Sequence, residues 1–189
     1  MLQEASTLSG IRYYYFGETN LKKTLVLVMG YSGSARSWPQ SMIDVLSRKY
    51  NLLLIDNRGT GKSQSLADLT QYSISMMAQD LYDVVTTLKI KSFYLLGWSL
   101  GACVALEFAH LHPAMLDKLI LVSGTAGGEL YTWPDMAILK QLIYPQGASA
   151  QEQYINAWRV CLPESNFELY RASLHMHLRL MQKHQNHFA

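Results

Sequence analysis

The sequence predicts an α/β protein with a mostly parallel sheet, and two patterns carry that prediction. Short apolar runs are each closed by glycine or polar residues, as expected of strands that are buried on both faces of a parallel sheet. Helical stretches alternate with these runs, which is the order of a parallel α/β fold. The composition agrees, because 49% of the 189 residues are hydrophobic and 16% are charged, a balance that excludes a disordered chain.

Five apolar segments are predicted to form the strands. The first is rich in aromatic residues and is closed by Gly17, and the others are almost wholly apolar. Aromatic and β-branched residues favour strands because they pack well on a pleated surface. The five segments are residues 11–16, 24–29, 52–55, 93–96 and 119–122.

Helices are predicted between these strands, where apolar residues recur at spacings of three and four or fill the stretch almost completely. They are residues 37–49, 74–88 and 100–110. After Gly128 no strand-like run follows, and only helix-compatible pieces remain. These pieces are residues 136–143, 151–160 and 168–188. The sequence therefore predicts an α/β core over residues 1–128 and a small helical segment over residues 129–189.

The charge and cysteine content exclude several classes of partner. Sixteen Lys and Arg against 14 Asp and Glu give a formal net charge of +2, so neither nucleic acid nor an anionic membrane is expected as a partner. No apolar run approaches the roughly 20 residues of a membrane span, and the polar start has no signal-peptide core. Cys103 and Cys161 are too few for a disulfide scaffold and form no zinc-binding pair. We expect a cytoplasmic protein without a metal or organic cofactor.

The most specific motif is G-x-S-x-G at residues 97–101, between a predicted strand and a predicted helix. This is the strand–turn–helix context of a nucleophile elbow. The turn is so tight that only a very small residue fits at Gly97 and Gly101, and it projects the hydroxyl of Ser99 at the carboxyl end of the sheet. The N–H of Leu100 at the helix start is then available to a developing anion.

A second motif, the glycine-rich segment at residues 30–38, follows an earlier predicted strand. A loop at this position is where a second oxyanion donor is expected. The candidate donor is the backbone N–H of Tyr31, paired with that of Leu100. An ordinary turn made by the glycines is the alternative, and the adjacent elbow motif favours the oxyanion interpretation.

A third motif, DNRGTGKS at residues 56–63, ends like a phosphate-binding P-loop. That loop needs a glycine five residues before Gly61, and the residue there is Asp56. The following segment also reads as a loop rather than as a long helix. We therefore expect a structural role, in which Asp56 and Arg58 tie the loop together by charge-assisted hydrogen bonds.

Together these motifs resemble the α/β-hydrolase superfamily over about residues 11–128. The segments that carry the resemblance are GYSGSARSW, DNRGTGKS, LLGWSLGA and AHLHPAMLDKLILVSG. The likeness is greatest to small capped esterases, enol-lactonases and cofactor-free haloperoxidases. It implies Ser99 as the nucleophile, the N–H groups of Tyr31 and Leu100 as oxyanion donors, and the helical segment as a cap. One departure is Met29, where many relatives have histidine.

The resemblance leaves the acid and the base of the catalytic triad unassigned. Members of the superfamily carry Ser, then Asp or Glu, then His in chain order, and the last two follow further strands. Because no strand-like run follows residue 122, we expect those segments to be absent and the chain to be C-terminally truncated. A serine without a base is a poor nucleophile. Asp117 and Asp135 are interpreted as surface loop residues rather than as the triad acid.

Six histidines are candidates for a replacement base or for metal ligands. Two end the predicted helix after the elbow motif, and four lie in the helical segment. They are His110, His112, His175, His177, His184 and His187. No carboxylate is placed to complete a metal site, and the favoured interpretation is polar residues on the helices of the cap.

Two functions from different classes follow. The first is a serine hydrolase that forms an acyl-enzyme with a small-molecule ester, lactone or related acyl substrate. The second is a catalytically impaired binding protein, or a truncated product, that lacks the triad Asp and His. Four aromatic residues are candidates for an apolar pocket in the cap, although packing explains each of them alone. They are Tyr131, Trp133, Tyr154 and Trp158.

The last predicted strand, residues 119–122, has a consequence for assembly. Without a following strand it is an exposed apolar edge, and such edges pair with other chains. We therefore expect homo-oligomers that form through this edge of the sheet.

Overall fold

The computed structural model describes residues 2–17, 22–129, 131–168 and 170–171. The chain divides into two compact units, Met1–Gly128 and Glu129–Ala189. The predicted helix over residues 168–188 lies almost wholly outside the described residues. No helix within the described ranges combines the length and the apolar character that crossing a bilayer requires.

The strands of the first unit form one six-stranded sheet. They are β1 (Leu2–Ser6), β2 (Arg12–Phe16), β3 (Thr24–Val28), β4 (Asn51–Ile55), β5 (Phe93–Trp98) and β6 (Leu116–Val122). Their order across the sheet is β1-β2-β4-β3-β5-β6. The pairs β1–β2 and β2–β4 are antiparallel, and the pairs β4–β3, β3–β5 and β5–β6 are parallel. The predicted mostly parallel α/β sheet is confirmed, with a strand at each of the five predicted segments.

The α-helices follow the parallel strands, as the alternating pattern predicts. In the first unit they are α1 (Gln40–Ser47), α2 (Ile74–Thr87) and α3 (Leu100–Leu111). In the second unit they are α4 (Met136–Ile143) and α5 (Ala150–Arg159). Side-chain caps begin α2, where Ser73 Oγ accepts from Met76 N–H, and α5, where Ser149 Oγ accepts from Glu152 N–H. Each cap satisfies a backbone donor that the helix leaves without an internal partner.

The sheet buries side chains on both faces, because successive residues of a strand point to opposite sides. One face packs against α2 and α3, and the other packs against α1 and the segment before it. The strand residues on the α2–α3 face include Val26, Val28, Leu53, Ile55 and Leu95. Those on the α1 face include Leu25, Leu27, Leu52, Leu54 and Leu96. This double burial explains why β3 and β4 are apolar along almost their whole length.

Strand β1 is an element that sequence analysis did not predict. Its sequence, LQEAS, has no apolar run. The strand forms by antiparallel pairing with β2, in a register that sets Glu4 opposite Tyr14. A turn closed by hydrogen bonds from Thr7 N–H to Ile11 O and from Gly10 N–H to Thr7 O, both 3.0 Å, brings the two strands together. A strand formed by such pairing needs no hydrophobic pattern of its own.

The helix predicted over residues 37–49 is shorter in the structure. Residues Ala35–Ser37 form a 3-10 turn, and α1 begins only at Gln40. Trp38, between them, is extended, with φ −70° and ψ 131°. The cause is Pro39, because a proline disfavours the helical conformation in the residue before it.

Strand β6 forms one edge of the described sheet, with β5 as its neighbour there. Its apolar residues are 36 to 42% exposed, whereas β3 is buried throughout. They are Leu119, Ile120, Leu121 and Val122. The strand also begins at Leu116, earlier than predicted, since an edge strand accommodates the polar residues Asp117 and Lys118.

Candidate functional site

The turn between β5 and α3 holds Ser99 in a conformation that L residues seldom adopt, with φ 55° and ψ −120°. Such a backbone costs about 1–3 kcal/mol and persists only where its surroundings hold it. Two hydrogen bonds do so here. Ser99 N–H donates to Val122 O at 2.8 Å, and Ser99 O accepts from Ala102 N–H at 2.9 Å. The motif G-x-S-x-G therefore lies in the strand–turn–helix setting that the sequence predicts for it.

The two glycines of this turn lie where backbone segments come into contact. A Cβ atom on Gly97 would lie 2.2 Å from Gly101 O, and a Cβ atom on Gly101 would lie 2.2 Å from Val28 O. Both distances are far shorter than any real carbon–oxygen contact, and both opposing atoms belong to backbone. A larger residue at either position would therefore push α3 away from the end of β3 or open the turn.

The loop after β3 runs directly beside Ser99. A Cβ atom on Gly30 would lie 2.9 Å from Ser99 Cβ and 3.4 Å from Ser99 Oγ. Gly33 N–H donates to Gly30 O at 3.2 Å and closes a turn around Tyr31. The structure thus places three predicted site residues around one point: Ser99 at the turn, Leu100 at the first position of α3, and Tyr31 in the adjacent loop.

The carboxylate of Asp56, at the end of β4, is buried between two loops. Its oxygens accept from Ala35 N–H at 2.7 Å and from Lys62 N–H at 2.9 Å. Tyr14 Oη lies 3.4 Å away, and burial together with the charge of Asp56 raises the pKa of Tyr14 to about 12. A Cβ atom on Gly61 would lie 2.1 Å from the carboxylate. The loop that resembles the end of a phosphate-binding loop therefore already encloses an anion, one that the chain itself supplies.

Asn57, the next residue, is a site-supporting residue that sequence analysis did not identify. Its Nδ2 donates to Met29 O at 2.8 Å, and its side chain is buried. The position of a polar residue directly after a buried apolar strand was the one available signal. The partner lies 28 residues earlier in the chain, so no local pattern indicates it.

Arg58 has a different partner from the one that the sequence suggests. It was expected to tie the loop at residues 56–63 together, but its Nε donates to Asp80 Oδ2 on α2 at 2.9 Å, and Nη2 contacts Asp80 Oδ1. The hydrogen bond to Asp80 raises the pKa of Arg58 above its ordinary value. Arg58 thus joins the loop to α2, and of the two predicted residues only the Asp56 carboxylate bonds within the loop, by accepting from Lys62 N–H.

A sequence profile of the alpha/beta hydrolase fold matches residues 23–159 of the chain. The chain belongs to the alpha/beta hydrolase fold family. The match includes the 97–101 turn, the loop after β3 and the loop after β4, so the geometry around Ser99 lies wholly within it.

Curated relatives of this alpha/beta hydrolase chain include proteins named carbamate hydrolase RutD. The protein from Pseudomonas syringae is 32% identical over 130 residues, which are 69% of this chain and 49% of that protein. The protein from Escherichia coli is 34% identical over 128 residues, which are 67% of this chain and 47% of that protein. The chain therefore spans about half the length of these relatives.

Solved structures share the fold at lower sequence identity. A hydrolase from Pseudomonas aeruginosa superposes with a TM-score of 0.70 at 19% identity, covering 95% of this chain and 66% of that one. An enzyme described as degrading N-acyl homoserine lactones superposes with a TM-score of 0.68 at 20% identity, covering 93% and 63%. At such identities the likeness shows the fold alone.

The described part of this alpha/beta hydrolase chain places no histidine on Ser99. Ser99 Oγ has no hydrogen-bond partner among the described residues. His112 ends α3 and stacks on Tyr82, with ring centroids 4.2 Å apart, and His110 precedes it in the last turn of α3. The other four histidines of the sequence lie outside the described residues: His175, His177, His184 and His187.

The two aspartates considered for the triad acid have other roles. Asp117 Oδ2 accepts from Lys23 Nζ at 2.6 Å at the surface. This contact lowers the pKa of Asp117. Asp135 caps α4 by accepting from Ala137 N–H at 2.7 Å. Both aspartates lie at the surface as predicted, but Asp117 belongs to strand β6 rather than to a loop.

The helical unit of this hydrolase-fold chain holds the four aromatic residues considered for a pocket. They form two pairs. Tyr131 and Trp133 lie with ring centroids 5.0 Å apart, and Tyr154 and Trp158 lie 6.2 Å apart. Trp133 is exposed, and burial raises the pKa of Tyr154.

Across the described ranges, His, Cys, Asp and Glu form no cluster of three that could bind a metal ion.

Proposed function

We propose that Ser99 is the nucleophile of a hydrolase that acts on a small carbonyl compound through an acyl-enzyme. The observation that carries this proposal is the backbone of Ser99, held at positive φ between β5 and α3 with the loop of Gly30 in contact with it. Strain of this kind clusters at functional sites, where the surrounding structure holds it in place. Membership of the alpha/beta hydrolase fold family supports the same interpretation.

The proposed reaction begins with attack of Ser99 Oγ on the substrate carbonyl carbon. The carbonyl oxygen becomes an oxyanion, which accepts hydrogen bonds from Leu100 N–H and Tyr31 N–H. The hydroxyl proton of Ser99 passes to a base and then to the leaving group as the acyl-enzyme forms. Water, deprotonated by the same base, then attacks the acyl carbon, and the base returns that proton to Ser99 Oγ as the acid product leaves. Donors fixed in advance at the oxyanion stabilise the transition state without reorganising.

The base is proposed to be a histidine outside the described residues. The family places its acid and base after the serine in chain order, and this chain spans about half the length of its curated relatives. The candidates are therefore a histidine among the last residues of this chain and one on a segment that accompanies it.

The proposed substrate class is esters, lactones and carbamates. All three present a carbonyl carbon that carries a leaving group, which is the feature that Ser99 requires. The curated relatives are named for carbamates and one structural neighbour for an acyl lactone. We further propose that the unit Glu129–Ala189 is a cap that shapes the substrate pocket.

A second candidate function is a binding protein of the same fold without turnover. It is favoured by the hydroxyl of Ser99, which donates no hydrogen bond to either described histidine, His110 or His112. Such a protein would keep the anion-binding loops and bind carbonyl compounds without cleaving them.

A fluorophosphonate separates the two candidates, because it reacts only with an activated serine. For a hydrolase we expect a single adduct by intact mass, and we expect Ser99→Ala to remove it. Ser123→Ala is the control, because Ser123 is exposed and also has positive φ, at 53°; this variant should be labelled like the parent. A folded parent without an adduct would show that this chain alone does not activate Ser99, as the binding protein predicts.

A further inference from the structure

Asn57 lies at the point where two parallel strands end side by side. Strands β3 and β4 are parallel and pair with Val28 opposite Ile55, so Met29 and Asn57 follow the carboxyl ends of two neighbouring strands. The side chain of Asn57 is only 6% exposed. Its amide donates to Met29 O at 2.8 Å. A buried amide is costly unless it is hydrogen-bonded, so this contact is firmly held.

The bond to Met29 O fixes the first peptide of the loop beside Ser99. The next carbonyl, that of Gly30, accepts from Gly33 N–H at 3.2 Å. In a trans peptide the N–H points away from the C=O, so the direction of Gly30 O also sets that of Tyr31 N–H. A Cβ atom on Gly101 would lie 2.7 Å from Met29 O, so α3 leaves this carbonyl little room to turn.

The other end of the same loop is held from the same strand. Asp56, the neighbour of Asn57, accepts from Ala35 N–H at 2.7 Å. Two consecutive side chains at the end of β4 therefore hold the loop of residues 30–34, one at its start and one after its end. A loop fixed at both ends presents its N–H groups in one direction.

We propose that Asn57 is a positioning residue: by holding Met29 O it fixes the peptide that starts the loop, so that the following Gly30–Tyr31 peptide, closed onto Gly33 N–H, presents Tyr31 N–H to the oxyanion formed at Ser99. This inference rests on the proposed function. It requires a hydrogen-bond donor at position 57, since the atom opposite is a carbonyl oxygen. An ionised carboxylate there would repel Met29 O and turn the peptide, whereas a protonated carboxyl group would donate to it.

The test compares Asn57→Asp with Asn51→Asp in hydrolysis of p-nitrophenyl acetate. Asn51 is a matched control because it is 3% exposed and begins β4, the strand that Asn57 follows. Its Nδ2 also donates to a carbonyl, Lys22 O at 3.1 Å, at the opposite end of that strand. We expect Asn57→Asp to lower kcat by about 10- to 100-fold with KM nearly unchanged, the order expected for one misplaced oxyanion donor. Asn51→Asp should leave kcat within about 3-fold.

The pH dependence of activity gives a second test, because a purely structural role of Asn57 would not change it. Burial raises the pKa of a carboxyl group, so the group introduced by Asn57→Asp gains a proton as the pH falls. Activity relative to the parent should therefore recover at low pH. Asn57→Ser, which removes the amide without adding a charge, should lose activity equally at every pH and serves if Asn57→Asp does not fold.

A second measurement does not need turnover. In protein labelled with ¹⁵N-tyrosine, the Tyr31 amide signal is assigned by its loss in Tyr31→Phe. It should move in Asn57→Asp and Asn57→Ser but stay in place in Asn51→Asp. A parent that does not hydrolyse the ester while the Tyr31 signal moves would refute turnover by this chain alone and keep the positioning role. An unmoved Tyr31 signal, or an active parent whose kcat is unaffected at Asn57, would overturn the role of Asn57.

Discussion

Ser99 carries a backbone conformation that its neighbours enforce rather than one that its own side chain prefers. With φ 55° and ψ −120°, the residue is held between a hydrogen bond to Val122 and one from Ala102. Glycine reaches such dihedral angles without a steric penalty. The strain at Ser99 is therefore measurable as a difference between two small residues.

Ser99→Gly is expected to be more stable than Ser99→Ala by about 1 kcal/mol. Both variants remove the hydroxyl, so the difference reports the backbone alone. Urea denaturation followed by circular dichroism measures it. The control pair is Gln79→Gly and Gln79→Ala on the exposed side of α2, where alanine should be the more stable residue by about 1 kcal/mol. If the alanine variant were the more stable one at both positions, the backbone of Ser99 would carry no strain.

The sequence reveals the residues that belong to one local motif. Ser99, Gly97 and Gly101 lie in one turn with fixed spacing, so the motif indicates them even though Val28 and Val122 also contact this turn. Asn57 and Arg58 act through partners 28 and 22 residues away. Such partners are brought together by the sheet, and no spacing along the chain indicates them.

At the scale of elements, the ion pair of Arg58 and Asp80 joins the loop after β4 to α2. The side chains of Arg58 and Asp80 are 11% and 7% exposed. A buried ion pair is costly to break, because removing one partner leaves the other charge uncompensated. The loop is thereby fixed to a helix as well as to the strand that precedes it.

Asp80→Asn is expected to destabilise the protein by about 3 kcal/mol at neutral pH, since Arg58 keeps its charge without a carboxylate. The matched control is Asp117→Asn, which removes the exposed pair with Lys23 and should hardly change stability, because water screens that pair. The midpoints of urea denaturation of the two variants measure how much stability each one loses. Equal losses at the two positions would contradict a special role for the buried pair.

The elements themselves were predicted to different degrees, and burial explains the difference. The interior strands β3 and β4 are buried throughout. Because both of their faces are buried, their sequences are apolar runs, and such runs can be recognised in the sequence. Strand β1 is not buried on both faces and has no apolar run, so the sequence did not predict it. Strand β6 was found by its apolar half, while its polar start, at Asp117 and Lys118, was not.

At the scale of the molecule, strand β6 gives the described sheet an apolar edge, which is called the border here. The four apolar residues at its end are 36 to 42% exposed, and an edge strand of this kind is a template for pairing with another chain. We propose that the 189-residue chain forms homo-oligomers through this border, as the sequence led us to expect.

Light scattering at increasing concentration tests this assembly. The average mass of the chain should rise with concentration, and Leu121→Lys should shift it back toward the monomer, because a charge on an edge strand disfavours pairing. Val45→Lys is the control, since Val45 is exposed on α1 and away from the sheet border. A monomer at every concentration, or an equal effect of both lysines, would refute assembly through β6.

The hydrogen bond from Ser99 N–H to Val122 O also has a dynamic consequence. Strands at the border of a sheet fray more readily than strands inside it. When the end of β6 frays, the Ser99 amide loses its acceptor, although β5 itself remains paired on its other side. The amide proton of Ser99 then exchanges with solvent as often as the border opens. The conformation at Ser99 is thus coupled to the pairing of an edge strand, and any chain that pairs with β6 stabilises it.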